Sequence, residues 1–182
     1  MAMPVSIPRC TVADLERFPD DGNRYELLDG IVLVTPSPAL PHQIVATRIA
    51  GEFLHALKAG PEALVAAPGV VRLPPKTELR PDVLVSRKPG PGSTWDDVKE
   101  HWLAVEVLSP SSRLYDRNYK RDAYLQLGVA EVWLVDLEAR QVFVSSTRPK
   151  RTDEPHAEIV AWHAPASGTT VQLSLADLFA GI

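Results

Sequence analysis

The sequence holds a single cysteine, Cys10, in 182 residues. One thiol excludes an intramolecular disulfide and cannot build a structural zinc site. The five histidines, at positions 42, 55, 101, 156 and 163, show none of the paired spacings by which zinc modules hold their metal. No apolar run reaches the roughly 18 to 20 residues that a helix needs to cross a bilayer. The opening MAMPVSIPRC has neither the basic segment nor the apolar stretch of a signal peptide, so a soluble, cytoplasmic protein is expected. An excess of positive charge is missing too. The net charge is -4 and the pI is near 5.7, unlike the basic balance of most nucleic-acid-binding domains. Internal repeats and low-complexity tracts are also absent.

What is present suffices for one well-buried core. With 45% apolar residues, the chain reads as a single domain over 1–182. TVADLERFP predicts a short helix capped by Thr11 and closed by Pro19. In RYELLDGIVLVT, two apolar runs flank Asp29-Gly30, a strong signal for a two-residue hairpin turn. HQIVATRIAGEFLHALKAG repeats apolar residues at helical spacing, at Val45, Ile49, Phe53 and Leu57, until Gly60 and Pro61 stop it. Short β-rich runs broken by prolines follow, and LRPDVLV reads as part of one of them. WLAVEVL is a strongly apolar strand, residues from about Asp116 to Leu127 read as a helix ended by Gly128, and EVWLVD and QVFVSS pair around a turn at Leu137 to Arg140. EIVAWHA adds a strand, and VQLSL and a helical ADLFAG close the chain. Strand, helix, strand through WLAVEVL and EVWLVD has the order of a parallel crossover, whereas the hairpins are antiparallel. The class is α/β (α+β), with a mixed central sheet flanked by helices.

Two carboxylates fall on these apolar strands. Asp82 stands in LRPDVLV and Glu106 in the middle of WLAVEVL, with one loop between the runs. Each is costly to bury alone, and together they repel. A divalent cation, Mg2+ or Mn2+, resolves both problems, because such ions prefer carboxylate and carbonyl oxygens; the carbonyl of Val107 is a candidate third donor. Lys120 lies four residues after Asp116 and four before Tyr124, so one helix face can carry all three. An ammonium group there can orient an attacking water or stabilise charge on a phosphoryl oxygen. Tyr124, Trp133 and Tyr25 are expected in the core, Tyr124 with the option of placing its hydroxyl in the site.

Pro81-Asp82, the strand Glu106 and a lysine resemble the PD-(D/E)XK nuclease superfamily. RYELLDG, the His42-Gln43 pair, RPDVLV, AVEVLSPSS, YDRNYK and GVAEVWLVD, in that order from about Thr11 to Ser145, resemble the restriction-endonuclease-like family labelled Uma. Where the simple motif places lysine, two residues after Glu106, this chain has Leu108, and the resemblance transfers the lysine to Lys120. It also implies a restriction-endonuclease-like core, Glu26 as a third acid at the metal, hydrolysis of phosphodiester bonds in DNA, and a homodimer with one site for each strand.

Plainer readings stand beside these. Asp82 has Arg80 as an available partner, Lys120 suits an exposed helix face, and His42 suits a solvent-exposed or capping position as readily as a substrate contact. The cluster Arg113, Arg117, Lys120 and Arg121 is either a solvated face or a phosphate-binding patch, the latter giving local positive potential to an acidic protein. The alternative function is a catalytically silent nucleic-acid or protein interaction module that keeps the fold.

Overall fold

Asp29 and Gly30 make the first tight turn, with φ of 50° and 82°, the doubly positive pattern that matches strand twist in two-residue hairpins. They join β1 (Arg24–Leu28) to β2 (Ile31–Thr35), with Leu28 opposite Ile31. A Cβ at Gly30 would lie 3.0 Å from Arg9 Cβ and in a backbone conformation that L side chains rarely adopt. The computed structural model describes residues 9–58, 60, 62–109 and 119–182. Its described residues group into two compact units, one of 9–37 with Arg72–Leu79 and the other within Pro38–Val71 and Arg80–Ile182.

In the first unit, helix α1 (Val12–Leu15) is a single turn, with Asp14 Oδ2 accepting from the Thr11 amide at 2.8 Å and its hydroxyl at 2.7 Å. The expected helix therefore ends well before Pro19. The hairpin belongs to a four-stranded sheet of order β2-β1-β5-β4, where β4 is Val71–Leu73 and β5 is Thr77–Leu79. Glu78 is buried on β5 and accepts a charge-assisted hydrogen bond from Arg72 Nε on β4 at 2.6 Å. Tyr25 is half-buried, not in the core as expected, because its ring stacks on Phe18 and its hydroxyl donates to Asp21.

The second unit carries a six-stranded sheet of order β10-β9-β8-β7-β6-β3. Its strands are β3 (Ala63–Ala66), β6 (Val83–Arg87), β7 (His101–Leu108), β8 (Glu131–Asp136), β9 (Gln141–Thr147) and β10 (Lys150–His156). β7 and β8 are parallel and the other neighbours antiparallel, so the sheet is mixed as the sequence indicates. β11 (Ile159–His163) and β12 (Thr170–Ser174) pair separately, ahead of a short helix α4 (Leu175–Leu178). Helix α2 (Leu40–Leu57) starts two residues earlier than expected, since Pro41 in its first turn has no N–H that the helix would use.

All eight residues of β7 are buried, and alternation along it divides the sheet into two faces. Val83, Val85, Leu103, Val105, Val107 and Trp133 join the apolar face of α2 in the main core. Leu84, Ala104 and Leu134 point the other way, as does Glu106, toward helix α3 (Arg121–Gln126) and its buried Tyr124. Among the described residues, no helix is long and apolar enough to cross a membrane.

LRPDVLV is not one strand. Leu79 ends β5 in the four-stranded sheet, Val83 opens β6 in the six-stranded one, and Pro81 and Asp82 lie in the step between them. Proline lacks the ladder donor that a continuous strand would need there. The Pro81 carbonyl instead accepts from Gly69 N–H at 2.9 Å.

Candidate active site

β6 and β7 set Val83 opposite Val105 and Leu84 opposite Ala104. Asp82 stands one residue before that pairing begins, at the same end of the two strands as Glu106, which follows Val105 on β7. A hydrogen bond from Val107 N–H to Asp82 Oδ2, at 2.9 Å, ties the two strands at this step.

Helix α3 completes the arrangement. Lys120 holds the N-cap position in helical backbone conformation, and Nζ lies 3.3 Å from Glu106 Oε1. One turn on, the Tyr124 hydroxyl donates to the same oxygen at 2.7 Å. The expected shared face of Lys120 and Tyr124 is thus present; Asp116, the third member, lies outside the described residues. Gly128, with φ of 87°, ends the helix, and Val129 N–H caps the Tyr124 carbonyl at 3.0 Å. Asp82, Glu106, Lys120 and Tyr124 are at most 4% exposed, so protein groups and not bulk water must compensate their charge and polarity.

His42 is neither exposed nor a cap. It is the third residue of α2, buried, with Nε2 3.1 Å from Asp82 Oδ2. Arg121, expected to face phosphate, lies against two carboxylates: Nε is 2.8 Å from Asp122 Oδ1 and Nη1 is 2.6 Å from Asp153 Oδ2. Asp153 sits at the irregularity of β10 with φ of 48°, and its N–H donates to the buried Ser145 hydroxyl at 2.9 Å, which locks the start of α3 to the β9–β10 hairpin. Arg113 and Arg117 lie outside the described residues. Glu26 is fully buried on β1, in the other compact unit. Asp136 ends β8, where Oδ1 accepts from the amides of Glu138 and Ala139.

Gly69 is a supporting residue that sequence reading passes over. A Cβ there would lie 2.2 Å from Leu84 Cβ, so only glycine lets this loop reach the Pro81 carbonyl. The Pro68-Gly69 dipeptide marks a turn in the sequence but says nothing of what the turn touches.

Among the described residues, no group of three or more His, Cys, Asp or Glu side chains is arranged to hold a metal ion. The chemistry of Asp82 and Glu106 still suits a hard divalent cation, which binds by one or two carboxylates and fills its remaining positions with carbonyl, water or phosphate oxygens. Carboxylates beside a lysine, at the C-terminal end of a parallel strand pair, can bind such an ion and stabilise an anionic ester.

A family model described as "Uma2: Putative restriction endonuclease" matches residues 12–173. A crystal structure described as a putative nuclease of DUF820 from Anabaena variabilis superimposes with a TM-score of 0.74 at 18% identity, covering 93% of this chain and 97% of that one. At that identity the likeness shows the fold. No curated protein matches the sequence.

Proposed function

The chain belongs to the Uma2 family, and from that premise we propose that it is a Mg2+- or Mn2+-dependent nuclease that hydrolyses phosphodiester bonds in DNA. One observation carries the reading: two buried carboxylates, Asp82 and Glu106, come to the same end of β6 and β7, Asp82 bonded to the N–H of Val107, the residue after Glu106, and Glu106 to the Lys120 ammonium. Asp82, Glu106 and the carbonyl of Val107 would hold the cation. Bound there, it supplies positive charge that eases deprotonation of a water and offsets charge developing on the phosphoryl oxygens.

The chain's own residues do the rest. Val107 N–H and Tyr124 OH each fix one carboxylate oxygen, so the two acids are oriented before substrate arrives. Lys120 sits beside Glu106, where its fixed positive charge can meet a non-bridging phosphate oxygen or the attacking water. Burial on the α3 side strengthens both effects by lowering the local dielectric. Hydrolysis adds the water oxygen to phosphorus, breaks one P–O bond and leaves a proton on the departing sugar oxygen; Lys120 stabilises the charge in between.

The test is a calorimetric titration of Mn2+ into the wild type and Glu106→Gln, followed by incubation of both with duplex DNA and Mg2+. Saturable binding by the wild type, lost in the variant, together with cleavage that Lys120→Met lowers by roughly 10²- to 10³-fold, is the expected result. Absence of saturable binding by the wild type, with and without DNA, would sink the proposal. Binding without cleavage of DNA would instead support the interaction module.

A further inference from the structure

We propose that His42 is a positioning residue for Asp82: its imidazole fixes the carboxylate in the orientation that receives the cation and takes no part in proton transfer. The inference rests on the metal-dependent reading above. Its basis is the way two structural elements converge on one oxygen.

Asp82 Oδ2 accepts from Val107 N–H at 2.9 Å, a donor fixed by the sheet, and meets His42 Nε2 at 3.1 Å, a group fixed by α2. Because a carboxylate oxygen only accepts, Nε2 carries the proton, which sets the ring tautomer. The helix behind the ring is firmly held. Val45, Ile49 and Phe53 are fully buried in the core, and Arg48 Nη1 donates to the carbonyls of Leu178 and Ala180, each at 2.8 Å. Two rigid donors on one oxygen leave the carboxylate a single rotation about its Cβ–Cγ bond.

The far side of the ring separates this role from general-base catalysis. In a carboxylate–histidine dyad that moves protons, the carboxylate holds one nitrogen and the other must reach the reacting atom. His42 Nδ1 is buried and has no hydrogen-bond partner among the described residues. A nitrogen sealed from solvent cannot exchange a proton with a substrate water, so the dyad is turned the wrong way for base catalysis and the right way for holding Asp82.

Glutamine and asparagine distinguish the two nitrogens. The Gln amide nitrogen reaches the place of Nε2, whereas that of Asn stops near the place of Nδ1. Mn2+ calorimetry on the wild type, His42→Gln, His42→Asn and His42→Ala is therefore the experiment, with circular dichroism on each variant. The expected result is near-wild-type affinity for His42→Gln and a loss of roughly 10- to 100-fold for His42→Asn and His42→Ala, the range found when groups that orient metal ligands are removed. If His42→Ala does not fold, the Gln and Asn pair decides. Equal affinity in wild type and His42→Asn overturns the proposal, and so does a loss in His42→Gln as large as that in His42→Asn, which would assign the ring to packing. Failure of the wild type itself to bind Mn2+ overturns instead the metal-dependent reading on which the proposal rests.

Discussion

His101 opens β7, and its Nε2 is buried without a hydrogen-bond partner among the described residues. Burial, and secondarily the nearby Lys99 charge, hold its pKa below the ordinary histidine value of 6.5. In the unfolded chain the ring takes up a proton below about pH 6.5, while in the folded state it resists. Where the unfolded state binds more protons, stability rises with pH. Stability is therefore fully present above the unfolded value and is lost as pH falls from about 6.5 through the lowered folded value. Urea unfolding of the wild type and His101→Gln between about pH 5 and 7.5 measures this: the wild type should weaken on acidification more steeply than the variant. Parallel curves would show that His101 is hydrated and titrates normally. The residue scale also explains what the sequence could not show about histidines. His42 and His101 look alike as isolated letters, yet the ring of one meets a carboxylate across a helix–sheet junction while Nε2 of the other meets no hydrogen-bonding group among the described residues, and only the fold decides between those fates.

At the scale of elements, the step between β5 and β6 decides where Asp82 stands, and Gly69 holds that step. Its N–H meets the Pro81 carbonyl, and a methyl group in place of hydrogen would press on Leu84 Cβ, an atom that no change of rotamer can move aside. Gly69→Ala should destabilise the fold by about 1 to 3 kcal/mol, as overpacking commonly does. Gly51 is the internal control, since it lies in α2 with nothing within 4 Å of an added Cβ and no unusual φ. Gly51→Ala should stabilise by about 0.5 to 1 kcal/mol through helix propensity. Urea midpoints measured at unchanged m would report the opposite signs; two shifts of the same sign would refute the assigned contact. Most elements were legible because their patterns are strong: the Asp29-Gly30 hairpin and the apolar β7 stand where the sequence puts them, and so does the 18-residue α2 apart from its earlier start at Leu40. The misses have physical causes. LRPDVLV has continuous strand composition, but the missing proline donor lets the chain change sheets within it. β10, KRTDEPH, escaped notice because charges, Pro155 and a register shift protect an edge strand and erase the alternation by which strands are read.

For the whole molecule, the apolar context made the two acids conspicuous in the sequence, since Asp82 and Glu106 break runs that otherwise want to be buried. The bond from Val107 N–H to Asp82, the convergence of Lys120 and Tyr124 on one oxygen of Glu106, and the commitment of Arg121 to Asp122 and Asp153 depend on contacts set by the fold and could not be read there. The same two acids give a prediction about global stability. A ligand that binds the folded chain and not the unfolded one stabilises it by about 2.7 kcal/mol at 100 times its dissociation constant. In a chain of 182 residues, each kcal/mol corresponds to roughly 2 to 4 °C in Tm. Mn2+ at that concentration should therefore raise the wild-type Tm by about 5 to 11 °C and leave Glu106→Gln unmoved. Because Asp82 and Glu106 both belong to the unit of Pro38–Val71 and Arg80–Ile182, any melt that resolves into two transitions should show the shift in that unit's transition and not in the other. Differential scanning calorimetry with and without Mn2+ makes the measurement. A shift of equal size in Glu106→Gln would place the cation elsewhere on the surface, and no shift in the wild type would mean that the two carboxylates do not bind it in the folded state.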